Sequence, residues 1–71
     1  MVKDPIEETQ SYQSVVKEVD QEVERQLSDK GIVKARGYIH HFWNLKKQIL
    51  KEKYNLDWKS PKEMNPEMVF D

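Results

Sequence analysis

Two apolar seams share one predicted helix in residues 38–54, which read YIHHFWNLKKQILKEKY. On a helical wheel at about 100° per residue, its apolar side chains fall on two adjacent lines. The first seam contains Tyr38, Phe42, Leu45 and Ile49, and the second contains Ile39, Trp43, Leu50 and Tyr54. Together the seams span about half of the helix circumference, so this helix needs to be covered from two sides.

Charged side chains occupy two different positions on the same wheel. Lys46 and Lys53 lie within the apolar arc, where a lysine stem can rest on apolar surface while its ammonium reaches water or a carboxylate at the edge of the seam. Beside the arc runs a polar stripe, here called the basic stripe, which contains Arg36, His40, Asn44, Lys47 and Lys51. The basic stripe admits two hypotheses, which are pairing with acidic side chains or contact with the phosphates of a nucleic acid.

We prefer acidic pairing, because the first part of the chain is acidic. Residues 1–30 carry four basic and eight acidic side chains, residues 31–55 carry six and one, and the whole chain has a net charge of −1. The acidic surface expected opposite the basic stripe contains Glu18, Glu22, Glu24 and Asp29. A helix-turn-helix motif is not matched either, since Leu27 stands where that motif needs a small residue.

An earlier helix is predicted for residues 5–29. Asp4-Pro5 is typical of an N-cap followed by proline at the first helical position, and Gly31 can accept the left-handed conformation that ends a helix. Its narrow apolar stripe consists of Tyr12, Val15, Val16, Val19, Val23 and Leu27. This stripe can cover one seam of the second helix, residues 33–54. The sequence therefore predicts an all-α fold built on a long antiparallel hairpin, in which Gly37 weakens the start of the second helix.

The last residues read as a short capped tail. Ser60-Pro61-Lys62-Glu63 matches a capping box with proline at the first helical position, and Asn65-Pro66 repeats the signal, so we expect one or two short turns. The apolar side chains of this part are Leu56, Trp58, Met64, Met68, Val69 and Phe70. We expect the tail to pack across the second helix, with docking onto another protein as the alternative.

Length and composition predict one domain, residues 1–71, near the lower limit for a self-sufficient core. Chains of this size usually rely on disulfides, a metal or a partner subunit, and this one has no cysteine. We therefore expect self-association, with a homodimer as the simplest form. The sequence contains no apolar run that would serve as a signal peptide or a membrane span, which favours a cytoplasmic protein without membrane contact.

Neither a metal site nor a catalytic site is indicated. Adjacent helical residues such as His40 and His41 point about 100° apart, and a chelating pair needs a spacing of three or four. The chain has no cysteine nucleophile and no glycine-rich phosphate loop. We therefore expect no metal, no cofactor and no enzymatic activity.

The function we predict is that of a small protein-binding or regulatory module. Its partner is another protein or a second copy of the chain, and the alternative is a nucleic-acid-binding regulator that uses the basic stripe. The residues expected at the partner-binding or oligomer seam are Tyr38, Phe42, Trp43, Leu45, Ile49, Trp58, Met64 and Phe70.

Overall fold

The computed structural model describes residues 1–70, and within them every regular element is helical. The elements are a 3₁₀ turn at Pro5–Glu8, α1 at Gln10–Gln13, α2 at Val16–Asp29, α3 at Tyr38–Tyr54 and α4 at Pro61–Met64. The two long helices, α2 and α3, pack against each other as the predicted hairpin. The molecule measures 32 × 29 × 16 Å, which is the shape of a flat layer about two helices wide.

The core lies between α2, α3 and the segment that follows α3. Its buried apolar residues are Tyr12, Val19, Val23, Leu27, Leu50 and Trp58. Four of these belong to the apolar stripe predicted for the first helix, and Leu50 belongs to the second seam of α3. Trp58 is 2% exposed and comes from the tail. The tail is therefore part of the core as well as a cover for α3.

The predicted helix 5–29 is wrong in its continuity, because the chain breaks it twice. Thr9 adopts an extended conformation, and its hydroxyl accepts a hydrogen bond from the Tyr12 amide and donates one to the Ile6 carbonyl. Near residue 14, the Ser14 hydroxyl donates to the Ser11 carbonyl, and α2 begins only after Val15. Short hydroxyl side chains offer the backbone such local alternatives to a helical ladder.

The connection between the two long helices explains why α3 begins later than residue 33. Gly31 has a φ of +75°, and the amides of Gly31 and Ile32 donate to the carbonyls of Ser28 and Leu27, which is a Schellman motif. Gly37 has a φ of +85° directly before α3. A left-handed residue cannot continue a helix, so the regular part begins at Tyr38.

The first turn of the tail forms the capping box that its sequence predicted. The Ser60 hydroxyl accepts from the Glu63 amide, and the Glu63 carboxylate accepts from the Ser60 amide. The second predicted cap, at Asn65, starts no helix. Its side chain instead accepts from the Val2 amide at 2.9 Å and donates to the Val2 carbonyl at 2.7 Å. This double hydrogen bond pairs the first residues of the chain with the tail.

Candidate protein-interaction surfaces

A buried lysine in the middle of α3 pairs with a carboxylate of α2. Lys46 is 8% exposed, and its ammonium lies 3.0 Å from the Asp20 carboxylate of α2. That Asp20 oxygen is fully buried, and no donor among the described residues has the direction needed for a hydrogen bond to it. The positive charge of the Lys46 ammonium is therefore what compensates the negative charge of the carboxylate. The ammonium also lies 5.3 Å from the ring centre of Tyr12 and 4.9 Å from that of Trp58. This agrees with the prediction that a lysine within the apolar arc reaches a carboxylate.

The surroundings of Lys46 shift two pKa values upward. Burial alone lowers the pKa of Lys46, but its interactions with Tyr12 and Asp20 outweigh burial and leave the pKa above the ordinary 10.5. Burial is the main cause that raises the pKa of Tyr12 above 10.0, although Lys46 opposes it. Both shifts favour the protonated forms of these side chains. Lys46 therefore remains a charged ammonium, which suits a structural role and does not suit nucleophilic chemistry.

The basic stripe of α3 finds its carboxylates in the tail, and this differs from the expectation that α2 would supply them. Lys51 lies 2.9 Å from Asp57, and Lys47 lies 2.7 Å from Glu63. Two of the acidic side chains of α2 expected there, Glu22 and Asp29, pair with Arg25 of their own helix. Two lysines of the stripe are therefore neutralised within the chain, and its contact with nucleic acid stays a prediction.

An aromatic contact closes the far end of the tail on α3. The rings of Trp43 and Phe70 meet edge to face with centroids 5.1 Å apart. His40 Nε2 lies 2.9 Å from the Phe70 carbonyl oxygen, to which it donates when that nitrogen carries the proton. His40 and Trp43 are also in edge contact, with ring centroids 5.9 Å apart. The tail thus contacts the basic stripe from Lys51 to His40.

A groove remains open between the tail and α3. Its volume is about 330 Å³. The side chains that line it are His40, Trp43, Asn44, Lys47, Ser60, Lys62 and Glu63. Three of them belong to the basic stripe and one belongs to the second seam, so the groove combines cationic groups with an aromatic wall.

The residues predicted for a partner-binding seam lie at different depths. Trp58 is in the core, where its indole nitrogen donates to the Glu7 carboxylate at 2.9 Å. The half-buried members that pack against the core are Tyr38, Phe42, Trp43, Leu45 and Ile49. Met64 and Phe70 are also half-buried. The chain itself therefore covers much of this seam, and a role in partner binding stays a prediction.

Exposed apolar side chains gather at a place that the sequence pattern did not single out. On the described residues, the large apolar side chains classed as exposed are Met1, Val2, Val33, Met68 and Val69. Val2 and Met68 both bind Asn65, whose side chain binds Val2 and whose carbonyl accepts from the Met68 amide. Met1 and Val69 are their neighbours in the chain. We call Met1, Val2, Met68 and Val69 the terminal patch. Only the long-range pairing of Val2 with Asn65 creates it, so no local pattern could have revealed it.

Acid should release the tail from α3. A hydrogen bond from Lys47, supported by the Ser60 amide, holds the pKa of Glu63 below its ordinary 4.5, and Lys51 lowers that of Asp57 below 3.8. A lowered folded-state pKa contributes stability that is complete above the ordinary value and is lost as the pH falls through the folded value. Titration followed by NMR should show the resonances of Phe70 moving once the pH drops below 4.5. In Lys47→Met the pKa of Glu63 should return toward 4.5, and an unchanged titration would contradict this account.

Within residues 1–70, no helix is both long and apolar enough to cross a membrane, and no three acidic or histidine side chains come together as a metal site. Comparison with protein-family models, with curated proteins and with solved structures finds no match to the chain.

Proposed function

We propose that this chain is a non-enzymatic protein-binding module, and that the terminal patch is its docking surface. The observation that carries the proposal is the gathering of exposed apolar side chains around Asn65. Val69 is 88% exposed, Met1 67%, Val2 56% and Met68 43%. Scattered apolar residues are ordinary on a protein surface, whereas a contiguous group of them is typical of an interaction site.

Two further features of the terminal patch support protein binding. Two of its members are methionines, whose flexible and polarisable side chains adapt to differently shaped partners. A shallow depression of about 270 Å³ lies beside the patch and is lined by Met64, Asn65, Pro66, Glu67 and Met68. An apolar side chain of a partner can enter such a depression and serve as an anchor residue.

A charged substitution in the terminal patch tests the proposal. Val69→Asp should abolish partner binding without loss of stability, because the side chain is almost fully exposed and such substitutions usually change stability by less than about 0.5 kcal/mol. Val33→Asp is the matched control, since Val33 is 72% exposed and lies outside the patch. Tagged wild type and both variants are purified from the cells that express the protein, after nuclease digestion, and their masses are measured by sedimentation.

The two variants separate the possible results. A partner retained by wild type and Val33→Asp and lost by Val69→Asp supports the proposal, and so does self-association with the same pattern, which would identify the partner as a second copy. If Val69→Asp keeps every protein that wild type retains, the terminal patch is not the docking surface. Binding that disappears with nuclease treatment would favour the alternative regulator of nucleic acid.

A further inference from the structure

The tail follows the basic stripe of α3 in reverse order. Asp57 meets Lys51, Glu63 meets Lys47, and Phe70 meets His40 and Trp43. As the tail advances from residue 57 to residue 70, its contacts move along α3 from residue 51 back to residue 40. This face of α3 therefore already holds a peptide segment, which the chain itself supplies.

Weak contacts hold the second half of this segment. The ion pair in this half joins Lys47 and Glu63, whose side chains are 47% and 41% exposed. Ion pairs with this exposure contribute about 0–1 kcal/mol each. The other contacts of this half are the exposed hydrogen bonds between Asn65 and Val2 and the contacts of Phe70 with α3. By contrast, Trp58 and Ser60 are 2% and 7% exposed. The tail is thus anchored in the core up to Ser60, and residues 61–70 can detach without opening the core.

The tail does not fill all of the space beside the basic stripe. The groove of about 330 Å³ between them is lined by side chains from both partners, and the tail leaves it open. A segment with a larger side chain at this point would fill the groove against the indole of Trp43. An external segment can therefore gain contacts that the tail does not make, and this favours exchange of one for the other.

We propose that this face of α3 is a second docking site, which binds an acidic and aromatic segment of another protein, and that residues 61–70 are its intramolecular competitor. The occupant is defined by charge complementarity with Lys47 and by the chemistry of the segment already seated there. That segment places an aromatic residue, Phe70, seven positions after a carboxylate, Glu63. Its lysines lie on α3, whereas the terminal patch takes Met68 and Val69 from the competing tail, so release of residues 61–70 also separates the members of the terminal patch.

The test uses full-length chains and a labelled synthetic peptide with the sequence of residues 60–70, SPKEMNPEMVF. In the variant Glu63→Gln/Phe70→Ala the tail loses its ion pair with Lys47 and its ring contact with Trp43, while the core anchor Trp58 is untouched. This loosened variant should bind the peptide about tenfold more tightly than wild type, because the competitor no longer occupies the site. Circular dichroism verifies that its helices and melting temperature are retained.

A charge exchange makes the test specific. Adding Lys47→Glu to the loosened variant should abolish binding of the peptide, and a peptide with lysine at the position of Glu63 should restore it. Equal binding to wild type and to the loosened variant, or no binding to either at about 1 mM peptide, would overturn the proposal. So would dimerisation of the loosened variant without peptide binding, which would assign the site to a second copy, or preferential binding of a DNA or RNA oligonucleotide. Val69→Asp tests the terminal patch separately, so the two proposals can fail independently.

Discussion

Trp58→Ala should remove most of the free energy of unfolding and leave the protein close to its unfolding midpoint at room temperature. Trp58 is 2% exposed, its indole donates to Glu7, and its ring faces the ammonium of Lys46. Removal of a buried tryptophan costs about 3–5 kcal/mol. A domain of this size has a total stability near the lower end of about 5–15 kcal/mol, so one such loss removes most of it. The measurement is a urea titration followed by circular dichroism.

The second tryptophan provides a matched control for this prediction. Trp43 is half-buried, and its main tail contact is the ring of Phe70. Trp43→Ala should therefore cost only about 1–2 kcal/mol, and the protein should still fold. If Trp58→Ala were no more destabilising than Trp43→Ala, the tail would not be part of the core.

Lys46→Ala should produce the second large effect, a loss of about 3 kcal/mol in the free energy of unfolding. The substitution leaves a buried oxygen of Asp20 without its cation and removes a stem that packs beside Tyr12 and Trp58. We place the loss at the lower end of the range for broken buried pairs because the Asp20 side chain is 39% exposed and can regain water. Thermal and urea unfolding measure it.

Two further variants separate charge from packing at this position. Lys46→Met keeps the stem and should cost less than Lys46→Ala, and Lys46→Met combined with Asp20→Ala should cost less than the sum of the two single changes. Additive costs would contradict a direct interaction between these side chains. Lys17→Ala is a surface control, because that lysine is exposed on α2.

The same cluster predicts that stability falls in alkali. The folded-state pKa values of Tyr12 and Lys46 lie above their ordinary 10.0 and 10.5. A raised folded-state pKa contributes stability that is complete below the ordinary value and is lost as the pH rises through the folded one. Wild type should therefore lose stability as the pH rises above 10, which urea unfolding at increasing pH measures.

Periodicity predicted the hairpin and the side chains at its interface. Val19, Val23 and Leu27 recur at helical spacing, and the structure buries all three. The position of Lys46 within an apolar arc predicted a stem on apolar surface and an ammonium beside a carboxylate, as observed. These features depend on neighbours one or two helical turns away, which is the range over which a sequence pattern carries information.

The contacts that shape the candidate surfaces escaped prediction because they join distant parts of the chain. Trp58 donates to Glu7 across 51 positions, and Val2 meets Asn65 across 63. The break at Thr9 turns the first residues toward the tail. The Thr9 hydroxyl caps α1, and this local hydrogen bond outweighs the helical periodicity of the residues on either side. Charge sorting predicted that the basic stripe would pair with the acidic surface of the first helix, but the path of the tail brings Asp57 to Lys51 and Glu63 to Lys47 instead.

The central claim is that residues 61–70 lie on α3 as a bound segment. The most direct measurement is a nuclear Overhauser spectrum of the intact protein near neutral pH, read for contacts between the rings of Phe70 and Trp43. With ring centroids 5.1 Å apart, strong cross-peaks are expected, and they should weaken in Glu63→Gln, which keeps both rings, while the core signals of Trp58 persist. Random-coil shifts for residues 61–70 in the wild type, without contact to Trp43, would contradict the account.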